Sequence, residues 1–180
     1  MALSEAQRGV LRGMLAAVAV TVAAVGAAVL LQPAVLMPLP AFEQRLAATL
    51  RWDGLVLACL VLAIGLLARH RFFTPADIDG SGLTAGTDRA RVLQAVLQNS
   101  LEQAVIAVLA HLLWTAATPP GWFAAVPAAA VLFLVGRICF ALGYRGGAPA
   151  RAFGFALTFY PTVLLTLVAA VMLMVGAMQA

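Results

Sequence analysis

The chain holds thirty consecutive residues, 13–42, without a charged side chain. No small soluble domain can cover a run of that length with polar surface. A bilayer core is crossed by about 20 apolar residues rising 1.5 Å each, so residues 14–36 suffice for one passage. Pro33, Pro38 and Pro40 follow; proline cannot donate to the helix ladder and restricts the residue before it, so the helix is expected to end there. Arg8 and Arg12 ahead of the run resemble the start of a signal peptide. The apolar stretch, however, exceeds the ~7–15 residues of a signal core and no convincing cleavage site closes it, so it reads as an uncleaved helix. With 64% hydrophobic and 10% charged residues and a mean hydropathy of +1.02, the class is an all-α integral membrane protein.

Further spans follow in order. Residues 54–68 are only fifteen uncharged positions, so the second span must begin near Ala48, placing Arg51, Trp52 and Asp53 at the interface with Trp52 as an anchor. It stops at Arg69-His70-Arg71. The third runs over 89–117, the fourth over 122–144 and the fifth from Arg151 to the C-terminus, with Pro161 expected to kink it. Trp114 and Trp122 flank the turn 118–121 as an aromatic belt. Placing the N-terminus and the 69–91 and 145–151 segments on one side gathers Arg8, Arg12, Arg69, Arg71, Arg89, Arg91, Arg145 and Arg151 there, against Arg45 and Arg51 opposite. That bias predicts a five-span protein, with its N-terminus cytoplasmic, in a bacterial inner membrane. The net charge of +4 and pI near 10 are thereby used at helix ends, which argues against nucleic acid as a partner. Residues 1–47 read as a lead and an extra helix, and 48–180 as a four-helix unit.

Two cysteines, Cys59 and Cys139, fall in apolar segments and read as buried free thiols. In the loop 72–88, Asp77, Asp79, Ser81, Gly82 and Asp88 fit positions 1, 3, 5, 6 and 12 of a calcium loop. Position 12 is Asp rather than Glu and Pro75 sits where an entering helix should finish, so the preferred reading is a glycine-rich turn with Asp88 capping the next helix and no metal.

The third span carries the chemistry. At about 100° per residue, Arg91, Gln98, Asn99 and Glu102 share one face and leave Val92, Leu97, Ala104 and Val108 on the other. An ionisable group inside a span needs a partner or a watery cavity. Arg137 lies inside the fourth span and Glu102 is the acidic residue read as lying within a span, so the two are expected to pair. His111 is about 180° from Glu102 and is read as a packed or interfacial residue.

Asn99-x-x-Glu102 in one helix, Arg137-x6-Tyr144 in the next and Arg151 seven residues later resemble the MAPEG family, membrane-associated proteins of eicosanoid and glutathione metabolism. The resemblance covers residues 55 to the C-terminus. It implies a MAPEG-like four-helix bundle, here with one extra N-terminal transmembrane helix, assembled as a homotrimer that binds glutathione in clefts between subunits. Asn99, Glu102, Arg137 and Tyr144 match the family's glutathione-contacting positions, and Arg151 the arginine that activates the thiol. The implied activity is a glutathione-dependent transferase or peroxidase acting on a lipophilic electrophile, with Arg151 and Tyr144 catalytic. The chain departs from the family pattern at Ala95, where an arginine is usual, and at Phe140, where some members have tyrosine or histidine; Gln98 and Arg91 are placed to supply the missing donors. The alternative is a non-catalytic module that binds a lipid or lipid-derived ligand, with Asn99, Glu102 and Arg137 as a structural polar cluster.

Overall fold

The computed structural model describes residues 3–32 and 41–179, and these are all helix and turn. Five α-helices follow one another: α1 (Glu5–Leu31), α2 (Phe42–Phe72), α3 (Asp88–Ala117), α4 (Ala125–Gly143) and α5 (Gly147–Gln179). Four apolar helical stretches are long enough to cross a membrane: Glu5–Leu31, Phe42–Phe72, Asp88–Ala117 and Pro120–Met178, the last being 59 residues that contain both α4 and α5. The chain is a multi-pass membrane protein.

The helix ends follow local chemistry. Ser4 caps α1 through a reciprocal box with Gln7, so α1 starts in the charged lead rather than at 14. It ends at Leu31 because Gln32 precedes proline; Gln32 adopts φ 41 and returns its N–H to the Ala28 carbonyl. The prolines expected to close the first span lie outside the described residues. α2 begins at Phe42, well before the expected 48, and its last turn carries Arg69, His70 and Arg71, cations that suit a helix C-terminus. Thr87, not Asp88, is the N-cap of α3, its hydroxyl accepting from the Ala90 N–H. α5 begins at Gly147, so the stretch expected as a turn is already helical; Pro149 sits in the first turn, where a missing N–H is tolerated.

α5 packs against α1, α3 and α4, while α2 packs on α3 and α4. Small residues permit this: Ala17, Ala48, Ala110, Ala125, Ala129 and Ala156 share the main core with Trp114, Phe123, Leu157 and Leu165. The α4–α5 crossing is set by Gly136 and Gly154. A Cβ at Gly136 would lie 2.7 Å from Thr158 Cγ2, and one at Gly154 would collide with the Phe140 backbone nitrogen. α1 and α5 run parallel, with Gly9 on Pro149 and Gly13 on Phe153 at one end. Arg8, Arg12, Arg145 and Arg151 therefore gather at that end. Trp114 and Trp122 are not a lipid-facing belt: Trp114 is buried, stacks on Trp122 at 5.9 Å and donates from Nε1 to the Trp122 carbonyl, pinning the α3–α4 turn.

Candidate functional site

The first half of α3 places Gln94, Gln98, Asn99 and Glu102 within three turns. Their surroundings split them. Asn99 turns inward, where its Oδ1 accepts from Arg137 Nη1 at 3.0 Å. Arg137 is 5% exposed, its guanidinium lies 4.2 Å from the centre of the Phe140 ring, and its Nε and Nη2 are buried without a hydrogen-bond partner. Glu102 does not meet Arg137 within the chain. It is exposed on the outer face of α3 and accepts from Gln98 Nε2 at 2.9 Å, one turn away. The expected Glu102–Arg137 pair is thus replaced, within one subunit, by an Asn99–Arg137 bond, because the inward turn of α3 is taken by Ser100, Gln103, Ala104 and Ala107.

The expectation that Glu102 is the one acid within a span is also corrected. Asp53, on the buried face of α2 with Arg45 and Thr49, lies 2.5 Å from His111 Nδ1. Thr49 and Thr115 pack beside this pair with their hydroxyls 2.7 Å apart. His111 is packed, as its helical phase required, but against a carboxylate.

At the arginine-rich end, the turn between α4 and α5 brings Tyr144 and Arg151 together, the guanidinium 4.4 Å from the ring centre. Phe140 bridges inward, its ring 5.4 Å from Tyr144 and beneath Arg137. A line of contacts therefore runs from Asn99 through Arg137, Phe140 and Tyr144 to Arg151. At the same end a cleft of about 370 Å³ opens between the 77–86 loop and α3. Arg71, Arg91, Gln94, Ala95 and Gln98 line it. Arg91 forms an exposed ion pair with Asp88 of its own first turn and does not join Asn99 or Arg137. The donor beside Ala95 is Arg71, whose Nη2 donates to Gln94 Oε1 at 3.0 Å and to Ser81 Oγ at 3.3 Å. Arg71, expected as part of the cationic stop and of the arginine-rich side, thus reaches the polar face of α3 from the end of α2.

The loop is held by Asp77. Thr87 donates to it from its hydroxyl and from its backbone N–H, both at 2.7 Å, and His70 Nε2 lies 2.9 Å from Oδ2. The Thr87 hydroxyl, then its N–H, hold the Asp77 carboxyl below the usual carboxylate range; burial opposes them and His70 adds to them. Asp79 and Asp88 are exposed, and among the described residues no group of three His, Cys, Asp or Glu side chains converges.

Against known families, the MAPEG family model matches residues 49–171. The chain belongs to the MAPEG family. No curated protein and no solved structure matches it. The MAPEG match takes in all of α3 and α4, most of α2 and α5, and every site residue named above, and it leaves α1 outside. Membership suggests a glutathione-related or eicosanoid-related function in a membrane. Against that background the orphan Nε and Nη2 of Arg137 are informative: a guanidinium edge with two free N–H groups is matched by one carboxylate.

Proposed function

We propose that the chain is a glutathione-dependent transferase or peroxidase acting on lipophilic electrophiles. The observation that carries this reading is Arg137, buried and fixed by Asn99 and Phe140, with its Nε and Nη2 unpaired. A buried cation with two idle donors is costly to keep unless something anionic completes it. Glutathione suits the set, since it offers two carboxylates and an ammonium. Arg137 and Asn99 would hold a carboxylate end, Glu102 and Gln98 the ammonium, and Arg91, with Arg71, the mouth of the cleft. An alkyl thiol of ordinary pKa ~8.5 is mostly protonated at neutral pH. The Arg151 guanidinium would favour its thiolate, and the Tyr144 hydroxyl would donate to the sulfur. The thiolate then attacks an electrophilic carbon, forming a C–S bond as the leaving group departs with the bonding pair.

The reading includes a homotrimer with five crossings, the N-terminus and the arginine-rich end cytoplasmic, and residues 48–180 as the catalytic unit to which 1–47 is appended. In support, Gln98, Glu102, Val105 and Leu109 form an exposed stripe along α3. A carboxylate facing hydrocarbon costs several kcal/mol, so a neighbouring subunit covering that stripe would relieve it. Cysteine labelling at Ser81 and Gly121 should report opposite membrane sides, and native mass spectrometry should show a trimer.

Calorimetric titration of the detergent-purified protein with glutathione, followed by assays with 1-chloro-2,4-dinitrobenzene and a lipid hydroperoxide, tests the activity. Absence of binding at millimolar glutathione and of both reactions would leave the second reading, a lipid-binding module with a structural polar cluster. The Arg137–Asn99 bond itself favours that alternative, since it joins α3 to α4 without any ligand.

A further inference from the structure

Arginines stand in matched pairs where α2 ends and α3 begins: Arg69 and Arg71 on one helix, Arg89 and Arg91 on the other. Residues two apart on a helix point about 200° apart, so each helix sends its two arginines in nearly opposite directions. Arg71 and Arg91 line the cleft under the 77–86 loop. Arg69 and Arg89 line a separate cleft of about 280 Å³ between the last turn of α2 and the first turn of α3. The two clefts differ in how their charge is met. Arg71 donates to Ser81 and Gln94, and Arg91 pairs with Asp88. Arg69 lies 5.8 Å from the centre of the Phe73 ring, and neither it nor Arg89 makes a hydrogen bond or an ion pair among the described residues. Asp77 and Asp88 bring no relief, since Thr87 and His70 occupy the first and Arg91 the second.

We propose that this second cleft holds the head of an anionic phospholipid, its phosphodiester between Arg69 and Arg89. Depth supports that occupant. Arg69 is the first charge after the uncharged residues 54–68, and α3 is uncharged from 92 to 101, so both helices leave the hydrocarbon at this level, where lipid phosphates lie. The walls are ordered to match. α2 runs toward this end and α3 away from it, so Leu66 and Leu93, each about one turn from its arginine, line the membrane side of the cleft, and Leu66 is 46% exposed there. A soluble phosphate has no use for that apolar side, whereas the first methylenes of a lipid's acyl chains cover it. Guanidinium forks suit phosphate oxygens, and basic pockets between membrane helices take phosphate-bearing heads. The Thr74 hydroxyl, 3.4 Å from His70 Nδ1, is a further donor at the rim. A zwitterionic head would bring its own cation toward the same two arginines and is disfavoured. The glutathione reading uses none of these residues, so the site stands apart from it.

Native mass spectrometry of the full-length protein, released from detergent with increasing dioleoylphosphatidylglycerol, counts the lipids bound and gives their affinity. One phosphatidylglycerol per subunit is expected to bind about tenfold or more tighter than dioleoylphosphatidylcholine. Arg69→Gln with Arg89→Gln should weaken it about thirtyfold, the loss expected for two arginines beside an anionic head. Arg8→Gln with Arg145→Gln removes the same charge from exposed positions at the same end and should change the affinity by less than about twofold. Should the Arg69 and Arg89 double variant lose its helical melt, Arg89→Gln alone takes its place, with a loss of about fivefold. Phosphatidylcholine binding as tightly as phosphatidylglycerol, or equal losses in the two double variants, overturns the proposal, because either marks a diffuse attraction rather than a site. Inorganic phosphate at millimolar concentration should leave the lipid bound; if it displaces the lipid, the cleft belongs to soluble phosphates and the lipid assignment falls.

Discussion

Replacing Arg137 by methionine separates a functional arginine from a structural one. In the free protein the guanidinium has one hydrogen bond, to Asn99, and one ring contact, to Phe140, against two buried N–H groups with none. The bond and the cation–π contact are worth about 1 kcal/mol each. Removing a buried, incompletely paired cation in favour of an apolar side chain of similar length returns a comparable amount. Arg137→Met combined with Asn99→Leu, which spares Asn99 an empty acceptor, should therefore change the stability of the free protein by no more than about 1–2 kcal/mol in either direction. Glutathione affinity behaves differently. Two charge-assisted hydrogen bonds from Nε and Nη2 are worth about 1.5–3 kcal/mol each, and taking the lower half for a site that opens to water gives about 3–4 kcal/mol, or two to three decades in Kd. Thermal melts of the detergent-solubilised protein and calorimetry with glutathione measure both quantities. A double variant that melts many degrees lower yet binds glutathione as the wild type does would show that Arg137 is a helix clamp and would refute the argument.

Three other outcomes follow from the same geometry. His111→Leu strands the buried Asp53 carboxylate, whose Oδ2 already lacks a partner, and should cost about 3–5 kcal/mol, whereas replacing both residues by apolar ones should recover most of that loss in a thermal melt. Gly154→Ala forces a Cβ into the Phe140 backbone and should destabilise by about 1–3 kcal/mol, and the proposed transferase activity should fall because the Tyr144–Arg151 pair shifts; a melt equal to wild type would contradict the close crossing. Asp77 is held below the usual carboxylate range, so its contribution to loop order is complete above its unfolded pKa of ~3.9 and is lost as pH falls through the lower folded value. Limited proteolysis of the 73–87 loop should accelerate as the medium is acidified through that window, and Asp77→Asn should be cleaved fast at every pH.

The all-helical class and the order of the helices were legible because uncharged runs and their arginine boundaries obey the cost of moving charge into hydrocarbon. Helix ends were less legible. Ser4 and Gln7 extend α1 back into the charged lead, and Pro149 extends α5 back past Arg151, both through first-turn chemistry that a hydropathy window does not register. Trp114 was misplaced for a related reason: a tryptophan near a turn reads as an interfacial anchor, yet its indole N–H found the Trp122 carbonyl and the ring was buried.

The pairs that the polar residues of α3 make were not legible. Helical phase correctly put Gln98, Glu102 and Asn99 near one another, but a face a third of a turn wide spans both the buried edge and the outer edge of α3. Asn99 fell on the inner side, beside Arg137, and Glu102 on the outer. Phase along one helix cannot decide which edge meets a neighbour, since that depends on how the other helices cross, and the α4–α5 crossing is set by the close approach at Gly136 and Gly154, which the pattern of α3 does not contain. Asp53 and His111 escaped notice for the same reason. They stand 58 residues apart, each apparently near an interface, and only the α2–α3 packing makes them a buried pair. In the fold, α3 keeps a carboxylate outward while burying serine, glutamine and alanine. A lone membrane helix gains nothing from that arrangement, and it becomes favourable only when another surface, or a ligand bearing an ammonium, lies against Glu102.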